Sequence, residues 1–191
     1  MQQRELERKI ILDCGSHFGE SVRKFRHEFK KNDFEFYMFE PNIFLFNRLI
    51  NNLEFENCKK FNNAVSNKNA IVKFWGCTKN KNSVGSTLEK SKANWDNIAE
   101  DDYIEVQAID LSTFIQDNFS KNDYIILKLD VEGAEYDILE RLFETGIIEY
   151  INELYCEFHT RWLSTEFSLR EANLRKKLGE INLPPIYWNA L

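Results

Sequence analysis

Two short segments near the start of the chain carry residue types that suit the binding of an adenosine-type cofactor. Residues 10–12 are apolar and run into Asp13, and Gly15 and Gly19 follow in a turn that opens a helical pattern. Glu40 ends the next apolar run, roughly 20 to 25 residues later, which is about one helix and one strand. Glycine lets the backbone approach a ligand closely, and a carboxylate at this place can accept both ribose hydroxyls. The pattern predicts a cofactor site with Glu40 at the ribose.

The residue at the position of the second glycine in a G-x-G-x-x-G turn distinguishes a dinucleotide site from a site for S-adenosylmethionine. A dinucleotide site needs glycine there, because the pyrophosphate rests against the helix N-terminus. This chain has His17, whose imidazole crowds that place. S-adenosylmethionine carries no phosphate, so the turn favours S-adenosylmethionine over NAD. An NAD-dependent oxidoreductase remains an alternative.

Composition narrows the class of protein. A chain of 191 residues with 43% hydrophobic residues predicts one domain over 1–191. A net charge of −6 disfavours nucleic-acid binding, which usually needs a basic surface. The four cysteines have no C-x-x-C spacing, so neither a zinc site nor a disulfide framework is predicted, and no residue is assigned as a metal ligand. The start of the chain is too polar for a signal peptide and no apolar run could span a membrane, so we expect a soluble cytoplasmic protein.

Short apolar runs alternate with helical stripes along most of the chain, which is typical of βα units and a parallel sheet. We therefore predict an α/β fold with a mostly parallel sheet and helices on both faces. A polar insertion near 77–102 interrupts this rhythm and is long for a loop, so we expect it to act as a lid. Asp110 precedes a helical stripe and is predicted to cap that helix. The predicted strands are 10–14, 34–39, one near 59–65, 71–75, 103–108, 124–129 and 151–158.

Four of the predicted strands carry polar side chains at or just after their carboxyl ends. In an open parallel sheet, ligands bind in the crevice outside these carboxyl ends. Each side chain alone could have an ordinary structural role, such as a helix cap. Their occurrence together at one edge of the sheet indicates a ligand-binding site. The four groups are Asp13 with Gly15, Glu40, Asp130 with Glu132, and Glu157 with His159.

Several motifs along residues 10–159 together resemble the FkbM-type methyltransferases. The most specific is the run from Lys128 to Glu135, which reads K-L-D-V-E-G-A-E after an apolar strand. The others are the Asp13-x-Gly15 turn with Gly19, Phe39-Glu40-Pro41, Asn63-Ala64-Val65-Ser66 and Ile109-Asp110-Leu111. The resemblance implies a Rossmann-like, S-adenosylmethionine-dependent fold that usually methylates a hydroxyl oxygen of a sugar or another small metabolite.

The resemblance also implies roles for individual residues. Asp13, Gly15 and Gly19 would line the methionine end of the cofactor, and Glu40 would hold the ribose. Asn63 and Ala64 would lie near the adenine, whereas Asp130 and Glu132 would border the methyl group and the acceptor. The chain departs from the family at His17, where Asn is common. It also ends soon after Trp188, so we expect the last strands of the sheet to be short or incomplete.

A hydroxyl acceptor has to lose its proton, and the sequence offers two candidate bases. His159 has the better ordinary pKa, about 6.5, whereas Asp130 is better placed by the family resemblance. A non-catalytic module that binds S-adenosylmethionine is an alternative function. An RNA 2′-O-methyltransferase would share the chemistry but conflicts with the acidic charge. The identity of the acceptor, the oligomeric state and any metal requirement stay open.

Overall fold

A computed structural model describes residues 8–83 and 85–188 of the chain. Its strands are β1 Lys9–Cys14, β2 Glu35–Phe39, β3 Lys59–Phe61, β4 Ala64–Ser66, β5 Ala70–Trp75, β6 Tyr103–Asp110, β7 Tyr124–Leu129, β8 Ile151–Cys156 and β9 Ile186–Tyr187. Its α-helices are α1 Glu20–His27, α2 Ile43–Ile50, α3 Lys90–Trp95, α4 Leu111–Asn118, α5 Glu135–Glu144 and α6 Glu166–Glu180.

The larger sheet has six strands in the order β3-β2-β1-β7-β8-β9, and every neighbouring pair is parallel. Residues alternate between its two faces: Ile10 and Leu12 pack into one core, whereas Ile11 packs into the other. The first core is covered by α4, α5 and α6, and the second by α1, α2 and the chain end near Trp188. The predicted α/β fold with helices on both faces is therefore confirmed.

A second, smaller sheet was not predicted. It has the order β4-β6-β5, in which β4 and β6 are parallel and β5 and β6 are antiparallel. The single strand predicted near 59–65 is wrong, because the chain leaves the large sheet after Phe61 and enters the small one at Ala64. Asn62 makes the break by donating from its amide to the carbonyls of Glu40 and Pro41, at 2.9 and 3.1 Å.

The polar insertion packs against the rest of the protein. Thr87 and Trp75 exchange two backbone hydrogen bonds of 2.8 and 3.1 Å, so the insertion returns to the end of β5. At its far end, the backbone N–H of Thr78 donates to the Asp102 carboxylate at 2.9 Å. The helix α3 lies between these two anchors. Whether the insertion also moves as a lid stays a prediction.

The last strand of the large sheet is short, as expected. β9 has only two residues, and Trp188 follows it. Asp110 caps α4 as predicted, because its carboxylate accepts from the backbone N–H of Ser112 at 2.9 Å. Within the described ranges, no helix is long and apolar enough to cross a membrane. The single domain over 1–191 stays a prediction, and its ends at 1–7 and 189–191 lie outside the described residues.

Candidate active site

A cavity of about 770 Å³ opens at the carboxyl ends of the parallel strands. This volume lies in the range of small-molecule sites, roughly 300 to 1,000 Å³. The predicted site residues that line it are Gly15, Glu40, Asn63, Ala64, Asp130, Glu132 and His159. The structure thus brings most of the predicted site together, whereas Asp13 and Gly19 do not line the cavity.

The glycine turn lies against the end of β7, because β1 and β7 pair in register up to Cys14 and Leu129. Gly15 has φ +85°, and a Cβ on it would lie 2.0 Å from the backbone oxygen of Asp130. A side chain cannot fit there, so glycine is required by both conformation and space. The backbone N–H groups of Gly15 and Ser16 both donate to the Phe39 carbonyl, at 3.1 and 3.0 Å.

Asp13 and Gly19 stabilise this turn without lining the cavity. The buried Asp13 carboxylate accepts from the Ser21 hydroxyl at 2.6 Å and lies 3.3 Å from the ammonium of Lys128. Gly19 faces the ring of Phe55, which a Cβ would approach to 2.3 Å. Direct contact of Asp13 or Gly19 with the methionine end of a cofactor therefore stays a prediction, and their placement favours an indirect role.

Glu40 presents a nearly buried carboxylate to the cavity. Its two oxygens accept from the backbone N–H groups of His17 and Asn42, each at 2.8 Å. Burial raises the pKa of Glu40 to about 7, although these two N–H groups act against the rise. Each carboxylate oxygen can accept a second hydrogen bond, so Glu40 keeps acceptor capacity for two hydroxyls.

Lys128 is a buried cation of the site that the sequence reasoning missed. Its ammonium donates to the Gly15 carbonyl at 2.7 Å and lies 3.3 and 3.5 Å from the carboxylates of Asp13 and Asp130. Burial opposes the charged form, but the two carboxylates outweigh it and raise the pKa of Lys128. Lys128 thus stays charged and ties the glycine turn to the end of β7. The signal was available, since a lysine inside an otherwise apolar strand needs buried partners.

Asp130, Glu132 and His159 meet at the cavity from the ends of β7 and β8. The His159 Nε2 atom lies 3.3 Å from Glu132 Oε2 and 3.8 Å from Asp130 Oδ1. The other ring nitrogen, Nδ1, lies 2.9 Å from Glu135 Oε1. Glu135 is itself held by the backbone N–H groups of Val131 and Gly133, at 2.9 and 3.0 Å. The histidine ring is therefore fixed with Nε2 towards the two acids.

The electrostatics of this group rank the two candidate bases. Burial lowers the pKa of His159, but Glu135 and Glu132 outweigh it and raise the value to about 11. His159 is then protonated at neutral pH and is a poor base, contrary to its ordinary pKa. Burial raises the pKa of Asp130 in spite of the nearby cations of Lys128 and His159, which makes its carboxylate a stronger proton acceptor. The placement favours Asp130.

The polar insertion supplies a second buried cation that the sequence reasoning missed. Lys92 of α3 lies 2.9 Å from Glu132 Oε2 and 2.7 Å from Asp96 Oδ2, and its side chain is 5% exposed. Thr87 donates from its hydroxyl to the Glu132 carbonyl at 2.5 Å. Glu132 has φ +57°, a left-handed conformation that is rare for residues with a side chain. The insertion therefore fixes Glu132 at both its backbone and its carboxylate.

Trp188 forms part of the cavity wall next to Lys128. Its ring stacks on Phe25 at a centroid distance of 5.3 Å, and the ammonium of Lys128 lies 5.7 Å from its centroid. Its indole N–H is buried and has no hydrogen-bond partner among residues 8–83 and 85–188. An unpaired buried donor is costly, so a ligand acceptor at this place would gain a hydrogen bond. The apolar sequence around Trp188 gave no signal of this role.

Comparison with known proteins gives one family. The family model described as the methyltransferase FkbM domain matches residues 13–178. A solved structure, that of methyltransferase FkbM from Methylobacillus flagellatus KT, is 16% identical with a TM-score of 0.43, over 76% of this chain and 32% of that one. The chain thus spans about a third of that protein. No curated protein matches the chain.

Proposed function

The chain belongs to the FkbM methyltransferase family, and from this premise we propose that it is an S-adenosylmethionine-dependent O-methyltransferase. The proposed acceptor is a hydroxyl of a sugar, a glycan or another small metabolite. The observation that carries the proposal is one cavity with two chemically different halves. Glu40 and the Gly15 turn form the first half, and Asp130 and Glu132 with His159 form the second.

The first half fits the adenosine and methionine parts of S-adenosylmethionine. Glu40 has free acceptor capacity for two ribose hydroxyls, and the Gly15 turn lines the same cavity. Asn63 and Ala64 line the same cavity and are proposed to lie near the adenine. Trp188 lines the cavity, and its indole N–H is proposed to donate to an acceptor group of the cofactor.

The second half is proposed to hold the acceptor. When bound, S-adenosylmethionine supplies an electrophilic methyl carbon on a positively charged sulfur. The chain has to orient the hydroxyl oxygen towards that carbon, which can lower the activation barrier by several kcal/mol. It also has to receive the hydroxyl proton. Asp130 is proposed for the proton because its partly exposed carboxylate faces the cavity. His159 and Glu132 are proposed to position the acceptor and Asp130.

Binding and transfer assays test the proposal separately. Calorimetry should detect S-adenosylhomocysteine but not NAD, because His17 occupies the place of a dinucleotide glycine. Incubation with methyl-labelled S-adenosylmethionine and a panel of hydroxylated sugars should then label an acceptor. NAD binding instead would favour the oxidoreductase. Binding of S-adenosylhomocysteine without transfer to any acceptor would favour a non-catalytic module. The expected cytoplasmic location stays a prediction.

The insertion is proposed to close over the bound ligands, because Gly85, Ser86 and Lys92 line the cavity. Amide hydrogen exchange in residues 85–98 should slow when S-adenosylhomocysteine is added, whereas exchange in β5 should change little. Equal protection of 85–98 with and without ligand would show that the insertion is a fixed part of the fold.

A further inference from the structure

Asp130, Glu132 and His159 have the types and spacing of ligands for a metal ion. One carboxylate oxygen from each acid and a ring nitrogen of the histidine all lie within 4.8 Å of one another. Two ligand atoms that share an ion at about 2.2 Å lie roughly 3 to 4.4 Å apart. The distances of 3.3 and 3.8 Å from His159 Nε2 to the two carboxylates fall in this range. A movement of a few tenths of an ångström would complete the set.

Glu135 gives the histidine the orientation that metal ligands need. A ligating histidine almost always gives its second ring N–H to a carboxylate or carbonyl group, which fixes the tautomer and the ring. Glu135 Oε1 lies 2.9 Å from His159 Nδ1, and Glu135 is fully buried. Both Glu135 oxygens are anchored by backbone N–H groups of the β7–α5 loop, so the carboxylate cannot turn away. This leaves Nε2 as the free coordinating atom, directed at Asp130 and Glu132.

The net charge around the cluster favours binding of a cation. Six carboxylates are in or next to it, whereas two lysine ammonium groups lie among them. Even with the His159 ring protonated, the group carries an excess of negative charge, and burial of unpaired charge is costly. A bound ion would take the place of the proton on Nε2. The carboxylates are those of Asp13, Asp96, Asp130, Glu132, Glu135 and Glu157, and the ammonium groups are those of Lys92 and Lys128.

Lys92 contacts Glu132 Oε2, which is also the oxygen nearest His159 Nε2, so an ion in the cluster would take Glu132 through Oε1 or displace the Lys92 ammonium from Oε2. This ammonium is also shared with Asp96, at 2.7 Å. Lys128 approaches Asp130 from the turn side, at Oδ2, whereas His159 approaches Oδ1. Asp130 thus keeps Oδ1 for an ion that would lie beside His159 Nε2.

We propose that Asp130, Glu132 and His159 bind a divalent cation of the Mg²⁺ or Mn²⁺ type at the acceptor half of the cavity. Two carboxylates and one imidazole suit such ions, and three protein ligands leave coordination positions open to the cavity. The role of the ion rests on the proposed function: it would bind the acceptor oxygen and lower the pKa of that hydroxyl. Asp130 would bind the ion through one carboxylate oxygen and remain the proposed acceptor of the hydroxyl proton. The binding site itself does not depend on that function.

Titration of the full chain with Mn²⁺, followed by electron paramagnetic resonance in the absence of any cofactor, tests the site. One Mn²⁺ per chain is expected, and Mg²⁺ should displace it. Glu132→Gln and His159→Gln should each weaken Mn²⁺ binding at least tenfold. Glu135→Gln should weaken it about 10- to 100-fold, because it positions the histidine. Glu149→Gln is the control: its side chain is exposed and distant in sequence from the cluster, so Mn²⁺ binding should not change.

Binding of S-adenosylhomocysteine, measured on the same variants, shows whether they are folded and separates the two proposals. Each variant should keep its affinity for S-adenosylhomocysteine, since Glu40 and the glycine turn are unchanged. Loss of Mn²⁺ binding in such a folded variant supports the site. Absence of Mn²⁺ binding to the parent chain, or binding that Glu132→Gln and His159→Gln leave unchanged, would overturn it. Mn²⁺ binding without S-adenosylhomocysteine binding would support the cation and reject the proposed function.

Discussion

The two halves of the cavity are stabilised in different ways. In the cofactor half, the Glu40 carboxylate is held by backbone N–H groups of His17 and Asn42, and the turn N–H groups bind the Phe39 carbonyl. In the acceptor half, side-chain charges are held by one another: Lys92 pairs with Glu132, and Lys128 pairs with Asp130. The first arrangement needs two short segments, whereas the second needs β7, β8, α5 and the insertion.

The difference suggests which half tolerates change. Backbone donors remain whatever the neighbouring side chains are, so the cofactor half depends on few residues. A charge held by another buried charge is lost when either partner is replaced, since removal of one leaves the other unpaired. We therefore expect replacements in the acceptor half to have the larger effects, mainly on turnover, and replacements in the cofactor half to act mainly on binding.

Asp130→Asn tests the acceptor half and has the largest expected effect. The variant keeps the shape of the side chain but loses its charge and basicity. Turnover should fall at least about 100-fold, while affinity for S-adenosylhomocysteine should stay near that of the parent. Steady-state kinetics and calorimetry measure the two. Asp117→Asn, at an exposed position of α4, is the matched control. Full turnover by Asp130→Asn together with loss of turnover by His159→Ala would assign the base to His159.

Glu40→Ala tests the cofactor half. Removal of a carboxylate that accepts two hydroxyls should weaken S-adenosylhomocysteine binding by about 1.5–3 kcal/mol, the scale of hydrogen bonds to a charged group. Calorimetry at a pH above 7 measures the change, and Glu56→Ala, at an exposed position, serves as control. An unchanged affinity in a folded variant would mean that Glu40 does not bind the cofactor. The proposed division of the cavity into a cofactor half and an acceptor half would then be wrong.

The pH dependence of cofactor binding sharpens this assignment. The pKa of Glu40 is raised to about 7, so the free protein holds a proton on Glu40 below that pH and the ionised carboxylate above it. If the ribose hydroxyls need the ionised form, affinity should fall as pH decreases below about 7, by up to about tenfold per pH unit. Calorimetry between pH 5.5 and 8.5, roughly 1.5 units on either side of that pKa, measures it. Glu40→Gln should remove this dependence. A parent affinity that is flat over this range would contradict the role.

Trp188→Phe has the smallest expected effect. The change removes the unpaired indole N–H and keeps an aromatic ring against Phe25. Affinity for S-adenosylhomocysteine should fall by about 1 kcal/mol, which is the net value of one hydrogen bond. Trp95→Phe is the control, because Trp95 is 62% exposed. Equal affinities of the two variants would mean that the Trp188 donor does not reach the cofactor.

The sequence predicted the cofactor half better than the acceptor half, for a physical reason. Gly15 and Glu40 belong to local strand-turn patterns, and pairing of β1 with β2 brings them together. Lys92 reaches Glu132 only because the insertion folds back at Thr87, and a polar segment of this kind carries no periodicity that would reveal it. The second sheet was missed because Asn62 breaks an otherwise continuous strand pattern by capping carbonyls of a distant turn. The sequence predicted His159 as a site residue but not its raised pKa. That pKa depends on Glu135, which is far from His159 in sequence and contacts it only in the folded protein.

The close approach of Gly15 to the Asp130 carbonyl has a thermodynamic consequence for the two ligands. A Cβ at Gly15 would lie 2.0 Å from that oxygen, and Lys128 bridges the same two loops. Displacement of either loop is therefore transmitted to the other. A cofactor that fixes the conformation of the glycine turn would also fix the conformation of the Asp130 loop. An acceptor that fixes the conformation of the Asp130 loop would likewise fix the turn. Such a coupling is reciprocal, so each ligand should change the affinity of the other by the same factor.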